Sequence, residues 1–181
     1  MAELIVVPGF GGSGPAHWQS RWEKNDPSIR RFQPQSWDEP ELRNWIEALE
    51  LAVSESVEPP VLIAHSLGCL LVAQWQTVSS LSVAGAFLVA VPDPSTPGFS
   101  ETTPGFSHVA SDPLRFPSLI VASTNDPYDA HRFAVEKAHQ WRSEFCSLGD
   151  LGHINGQSGL GDWPFGKQLL DAFIARIGKE H

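Results

Sequence analysis

The residues with the clearest chemical potential form the pentapeptide Ala64-His65-Ser66-Leu67-Gly68. Small residues stand two positions before and two positions after the serine, between an apolar run and a helical pattern. This spacing is typical of the nucleophile elbow, Gly-x-Ser-x-Gly, with alanine in place of the first glycine. A serine on such a turn has a strained backbone, and the helix that follows favours the negative charge that develops during attack. The pattern therefore predicts that Ser66 is a nucleophile.

A serine hydroxyl needs a neighbouring base to accept its proton, and histidine is the usual one. Downstream of Ser66 the candidates are His108, His131, His139, His153 and His181. Only His153 lies directly after a predicted strand, in a glycine-flanked loop that can reach over the end of a sheet. The others fall in a proline-rich loop, at the start of a helix, within that helix and at the end of the sequence, and His65 is expected to pack beside the elbow. We predict that His153 is the general base.

The acid of such a triad precedes the histidine in the chain and follows the preceding strand. Two aspartates meet this condition, Asp126 and Asp129, in Asn125-Asp126-Pro127-Tyr128-Asp129. Asp126 comes first after the strand, and Pro127 restricts it to an extended backbone. Asp129 has a competing use as the N-cap of a helix predicted from Ala130. Asp126 is therefore the predicted triad acid.

An oxyanion hole needs two backbone amides that point to one position. One is expected from Leu67, directly after the nucleophile. The other is expected from the glycine-rich turn after the first strand, where Phe10 is the first choice and Gly11 the alternative.

Buried strands alternate with helical segments along the chain. Apolar runs predict strands over 4–7, 61–64, 83–91, 118–122 and 145–148, with a weaker one over 29–33. Helices are predicted over 17–24, 40–53, 67–76, 130–141 and 166–177, and six prolines mark residues 92–117 as a long loop. This alternation predicts an α/β fold of three layers, with a mostly parallel sheet of about six strands, in one domain over 1–181. Because parallel strands end at the same edge, the loops that carry the serine, acid and histidine should meet there.

Composition excludes several other classes of protein. The net charge of −9, from 21 acidic and 12 basic residues, argues against binding to nucleic acid or to an anionic membrane. The start of the sequence has an acid where a signal peptide needs a base, and no apolar run approaches the ~18 residues of a membrane span. The two cysteines, Cys69 and Cys146, fit buried thiols better than a disulfide, and neither belongs to a metal-binding pattern. These features predict a cytoplasmic protein that needs no metal or other cofactor.

The sequence resembles the small serine-hydrolase family related to retinoblastoma-binding protein nine. The matching motifs run almost end to end: Pro8-Gly9, His17-Trp18-Gln19 with Trp22, the elbow around Ser66, Asn125-Asp126-Pro127-Tyr128, Gly152-His153-Ile154-Asn155 and Gly159-Leu160-Gly161-Asp162-Trp163-Pro164. The resemblance implies a minimal α/β-hydrolase fold without a large cap domain, and it maps the family's triad onto the same three residues. The Leu-x-Cys-x-Glu stretch behind the family member's name is absent, so we carry over no such protein partner, and protein partners stay unknown.

These observations predict a serine hydrolase that cleaves a small ester, thioester or amide, with a small acyl compound as its substrate. Residues expected to line the pocket are Gly9, Gly11, Trp18, Phe106 and Trp163. Two alternatives stay open: a non-catalytic binding module that uses the 92–117 loop as a contact surface, and a hydrolase-fold lyase or cofactor-free oxygenase.

Overall fold

A computed structural model describes residues 3–129 and 132–179. Within these ranges six strands form one sheet in the order β2-β1-β3-β4-β5-β6. Their bounds are β1 Leu4–Val7, β2 Ile29–Arg31, β3 Val61–His65, β4 Gly85–Val89, β5 Ser118–Ala122 and β6 Glu144–Ser147. Every neighbouring pair is parallel, so the carboxyl ends of all six strands lie at one edge, called here the C-terminal edge. The predicted parallel sheet is confirmed.

Helices cover both faces of this sheet. Their bounds are α1 Trp18–Asn25, α2 Leu42–Ser54, α3 Leu67–Val78, α4 Phe99–Thr102, α5 Phe133–Trp141 and α6 Pro164–Ile177. Side chains alternate along each strand, so that Leu62 and Ala64 pack with α2, α3 and α5. Val61 and Ile63 pack instead with α1 and α6. Burial of each large apolar side chain contributes roughly 1.5–3 kcal/mol, and the sheet separates two cores of this kind. The three-layer prediction is confirmed.

The chain reverses its direction across the sheet at β1. Strand β2 lies on one side of β1 and strand β3 on the other, so the loops after β1 and β3 diverge and leave a crevice between them. Helix α3 packs closely on the end of β1, because a Cβ atom added to Gly68 would lie 2.1 Å from the carbonyl oxygen of Val7. This close approach brings the glycine-rich turn after β1 beside Ser66.

All of the predicted strands and helices are present, and most of their bounds differ from the prediction by one to three residues. Strands β1 and β5 have the predicted bounds, whereas α5 begins at Phe133 rather than at the predicted Ala130. Ala130, His131 and His181 lie outside the described residues. The described part of the 92–117 segment is a loop with the single four-residue helix α4. No helix in the described ranges is long and apolar enough to cross a membrane.

Candidate active site

Ser66 occupies a sharp turn between β3 and α3. Its backbone angles, φ 53° and ψ −123°, lie in a region that non-glycine residues rarely adopt, so the turn stores strain. The turn is tied down on both sides: Ser66 donates its amide to the carbonyl of Val89 at 2.9 Å, and its carbonyl accepts from Cys69 at 2.8 Å. Ala64, which stands in place of the usual glycine, is fully buried and packs in the core cluster that includes Leu62 and Leu67.

The imidazole of His153 lies between the serine hydroxyl and a carboxylate. Its Nε2 atom is 2.8 Å from Oγ of Ser66. Its Nδ1 atom is 2.9 Å from each carboxylate oxygen of Asp126. Because a carboxylate only accepts hydrogen bonds, Nδ1 carries the proton and Nε2 is left to accept from the serine hydroxyl. The ring of Tyr128 packs against the imidazole at 4.6 Å between centroids and limits its rotation.

Side-chain hydrogen bonds join the loop of the carboxylate to the loop of the imidazole. The amide oxygen of Asn125 accepts from the backbone N–H of Gly152 at 2.7 Å and from the hydroxyl of Ser123 at 2.9 Å. The same hydroxyl accepts from the backbone N–H of Leu151 at 2.8 Å. The loops after β5 and β6 are therefore held in register just before the two functional side chains.

The second candidate acid has a different role. Oδ1 of Asp129 accepts from the backbone N–H of Ala134 at 2.9 Å, in the first turn of α5. Burial raises the pKa of this carboxyl, although the N–H donors of Ala134 and Phe133 oppose the rise. Asp129 therefore accepts from an amide in the first turn of α5, although the N-cap position itself is occupied by Arg132, which has a left-handed backbone.

The backbone amides of Phe10 and Leu67 lie beside Ser66 and have no acceptor within the described residues. The amide of Gly11, the alternative donor, is already bonded to the carbonyl of Trp37 at 2.9 Å. A Cβ atom added to Gly9 would lie 3.0 Å from the nitrogen of Leu67, so the turn that carries the Phe10 amide passes next to the elbow. The geometry therefore favours the pair Phe10 and Leu67 as donors.

Two further histidines stack beside His153. His65 donates from Nε2 to the carbonyl of His153 at 2.9 Å, and the ring of His17 packs edge-on against His65 at 4.5 Å. Nδ1 of His17 accepts from the backbone of Gln19, so its buried Nε2 carries the proton and has no partner among the described residues. Burial lowers the pKa of His17 to about 3, with a smaller contribution from Arg31. Burial also lowers the pKa of His65 well below its usual value.

A cavity of about 800 Å³ opens above Ser66 and His153. Five segments line it: the turn after β1, the elbow, the region around α4, and the loops after β5 and β6. Its side chains include Phe10, Ser13, His17, His65, Phe99, Thr102, Thr103, Tyr128, Asn155 and Gln157. Gly11 lies on its wall as expected, whereas Gly9 packs beneath the elbow.

The three aromatic residues predicted to line the pocket lie elsewhere, and this prediction is corrected. Trp18 is 1% exposed and donates its indole N–H to the carbonyl of Ile154. Trp163 packs against Trp18 at 5.0 Å in the core between the sheet, α1 and α6. Phe106 is fully buried against Trp45 on the opposite side of the sheet. Trp18 begins α1 and Trp163 directly precedes α6, so both rings pack between these helices and the sheet, whereas Phe106 packs on α2.

Sequence reasoning missed the polar wall of the cavity. His17, Asn155 and Gln157 line this part of the cavity. The sequence provided only a weak indication that these residues belong to the site. That indication was their position in loops after β1 and β6, which must share the C-terminal edge with Ser66. In the described ranges no group of three or more metal-binding side chains comes together. Cys69 and Cys146 are free thiols that pack on opposite faces of the sheet.

Comparison with known proteins shows the family and the fold of the chain. A family model described as serine hydrolase matches residues 4–172. A protein from Pectobacterium atrosepticum described as a YdeN-like hydrolase is 31% identical, with a TM-score of 0.87 over 98% of this chain and 92% of that chain.

Two more distant structures share the fold alone. The ydeN gene product of B. subtilis is 18% identical, with a TM-score of 0.78 over 97% of this chain and 100% of its own. A thermophilic esterase from Thermogutta terrifontis is 12% identical, with a TM-score of 0.74 over 98% of this chain and 90% of its own. No curated protein matches the sequence. The fold is that of the α/β hydrolases, and the chain belongs to the serine hydrolase family.

Proposed function

We propose that the protein hydrolyses a small ester, thioester or amide through an acyl-enzyme on Ser66, with His153 as the base and Asp126 as the acid. One observation carries the proposal: a single imidazole lies 2.8 Å from the serine hydroxyl and 2.9 Å from the carboxylate. A surface used only for binding has no need of this alignment. The unengaged amides of Phe10 and Leu67 beside the same hydroxyl support it further.

In the first half of the reaction, Oγ of Ser66 attacks the carbonyl carbon while its proton moves to Nε2 of His153. The carbonyl oxygen becomes an oxyanion, and the amides of Phe10 and Leu67 donate to it. The Asp126 carboxylate stabilises the imidazolium and keeps its ring in the reactive orientation. The imidazolium then gives its proton to the leaving alcohol, thiol or amine, and the acyl group stays on the serine.

In the second half, a water molecule takes the place of the leaving group. His153 accepts a proton from this water as it attacks the acyl carbon, and the same two amides hold the second oxyanion. Collapse of the intermediate releases the carboxylic acid and returns the proton to Ser66.

The test is labelling by a fluorophosphonate probe, with ester hydrolysis measured in parallel. Ser66→Ala should abolish labelling and reduce turnover by about 10⁴–10⁶-fold, because triad residues act as a unit. Ser80→Ala, on an exposed loop, is the matched control and should label like the wild type. Undiminished labelling of Ser66→Ala would move the nucleophile elsewhere. An unlabelled and inactive wild-type protein would favour the binding module instead.

A further inference from the structure

Building on the proposed hydrolysis at Ser66, we infer that the cavity selects an uncharged substrate, one whose acyl and leaving groups carry no ionic group near the scissile bond. Small neutral esters, thioesters and amides fit this description. Compounds with a carboxylate, sulfonate or ammonium a few bonds from the carbonyl do not.

The first observation is the composition of the cavity wall. In the described part of the chain, none of the lining residues is an aspartate, glutamate, lysine or arginine. The wall includes the aromatic rings of Phe10, Phe99 and Tyr128, and it also offers neutral amides from Asn155 and Gln157. Such a wall can donate and accept hydrogen bonds, but it cannot pair an ion.

The second observation concerns the histidines on the wall. His17 and His65 are both buried, and burial lowers the pKa of His17 to about 3 and that of His65 well below its usual value. Both rings are therefore neutral at physiological pH. The charge that His153 takes up during the reaction is paired with the carboxylate of Asp126.

The third observation is that three ionic side chains on the loops around Ser66 already interact with other groups of the chain. Arg31 reaches the turn after β1, where it bonds to the carbonyl of Gly12, but its guanidinium is also paired with the carboxylate of Glu23. The side chain of Asp126 is 1% exposed and lies behind His153. Asp129 caps α5. A charged substrate would lose hydration in the cavity and gain no partner there.

The experiment uses two isosteric pairs of p-nitrophenyl esters with the same acyl spacer. One pair ends in trimethylammonium or in its neutral counterpart, tert-butyl. The other ends in sulfonate or in neutral methyl sulfone. After normalisation to the rate of hydroxide-catalysed hydrolysis, kcat/KM should be about 10²-fold lower for the charged ester of each pair, because no group in the cavity compensates the lost hydration.

A pair of opposite-charge variants makes the test specific to the cavity. Gln157 is an exposed wall residue whose side chain forms no hydrogen bond within the described residues. Gln157→Lys should raise kcat/KM for the sulfonate ester alone, and Gln157→Glu for the trimethylammonium ester alone, each by about tenfold. Val57→Lys and Val57→Glu are the controls. Val57 is 89% exposed and precedes β3, at the opposite edge of the sheet, so neither control should change these ratios.

The outcomes separate the inference from the function on which it rests. Equal kcat/KM within either pair, or a preference for a charged ester, would overturn the inference while labelling of Ser66 leaves the hydrolase intact. Absence of Ser66-dependent turnover with all four esters would overturn the proposed function, and the inference with it.

Discussion

The two sides of the cavity are held in place by different means. On the reactive side, hydrogen bonds join residues far apart in the sequence, such as Thr124 to Gly149 and Asn125 to Gly152. On the opposite side, around α4, the described hydrogen bonds of residues 94–107 connect only residues within that segment or to Asp93. Burial of Phe106 anchors this segment by packing instead. The comparison indicates that hydrogen bonds between distant residues fix the positions of Asp126 and His153. The segment around α4 lacks such bonds, so this part of the wall can vary without moving those two residues.

The largest effect should come from the carboxylate on the reactive side. Asp126→Asn should reduce kcat by about 10⁴-fold with little loss of stability, because the amide favours the wrong tautomer and does not stabilise the imidazolium. Steady-state kinetics and thermal unfolding measure the two quantities. Asp129→Asn is the control three residues away: it should cost at most about 1 kcal/mol of helix capping and leave kcat intact. A reversed pattern would exchange the roles of the two aspartates.

The turn after β1 should be the next most sensitive position. A Cβ atom at Gly9 would lie 3.0 Å from the nitrogen of Leu67, so Gly9→Ala should displace an oxyanion donor and reduce kcat by about 10²-fold. A Cβ atom at Gly14 would meet nothing within 4 Å, so Gly14→Ala serves as the matched control. If both variants keep wild-type kcat, these amides do not form the oxyanion hole.

The side chain of Asn125 forms hydrogen bonds that join the loop after β5 to the loop after β6, and a substitution at this position can remove them. Asn125→Ala loses both of these hydrogen bonds. We expect kcat to fall about tenfold, because small displacements of reacting groups slow the chemical step. The loss of these hydrogen bonds should also lower the free energy of unfolding by about 1–3 kcal/mol. Asn125→Asp keeps an acceptor oxygen and should recover part of both losses. An unchanged kcat for the alanine variant would mean that packing alone positions the loops.

The buried histidine at the cavity wall should be visible in the pH dependence of stability. Between its unfolded pKa of about 6.5 and its folded pKa of about 3, His17 is protonated only in the unfolded chain. Stability therefore falls as the pH falls through this window, by up to about 1.4 kcal/mol per pH unit for one such group.

His17→Asn keeps a side-chain cap for α1 and removes the titrating ring. The free energy of unfolding should be measured with denaturant at several pH values between 7 and 4. It should fall less steeply with decreasing pH for this variant than for the wild type. Identical slopes would mean that His17 can be protonated in the folded state.

The smallest effect is expected from the segment around α4, whose hydrogen bonds are local. Phe99→Ala removes an aromatic ring from the wall but touches none of the hydrogen bonds between distant residues, so KM for a short acyl ester should change about threefold while kcat stays constant. If kcat fell as much as in Asn125→Ala, the segment around α4 would also contribute to the position of the catalytic groups.

The strands and the order of the reactive residues were predictable because their signals are local. Apolar runs closed by Pro8-Gly9 or by Asn125-Asp126-Pro127 define β1 and β5, and a parallel sheet then brings their loops to one edge. Positions of side chains in long loops are not local properties. Phe106 stands in a polar, proline-rich stretch, yet it packs into the core against Trp45. The start of α5 depends on the left-handed backbone of Arg132, which the sequence pattern does not encode.

The separation of the three reactive side chains along the chain has a consequence for folding. Ser66, Asp126 and His153 follow β3, β5 and β6, and the imidazole is set only when β6 pairs with β5 at the margin of the sheet. Pairing between distant segments is slow, because loop-closure entropy is lost before the contacts form. Trp45 and Trp75 are fully buried in α2 and α3, which pack on the central strands, so burial of these two rings should precede that step. During refolding, enzymatic competence should therefore appear with the last strand to join the sheet.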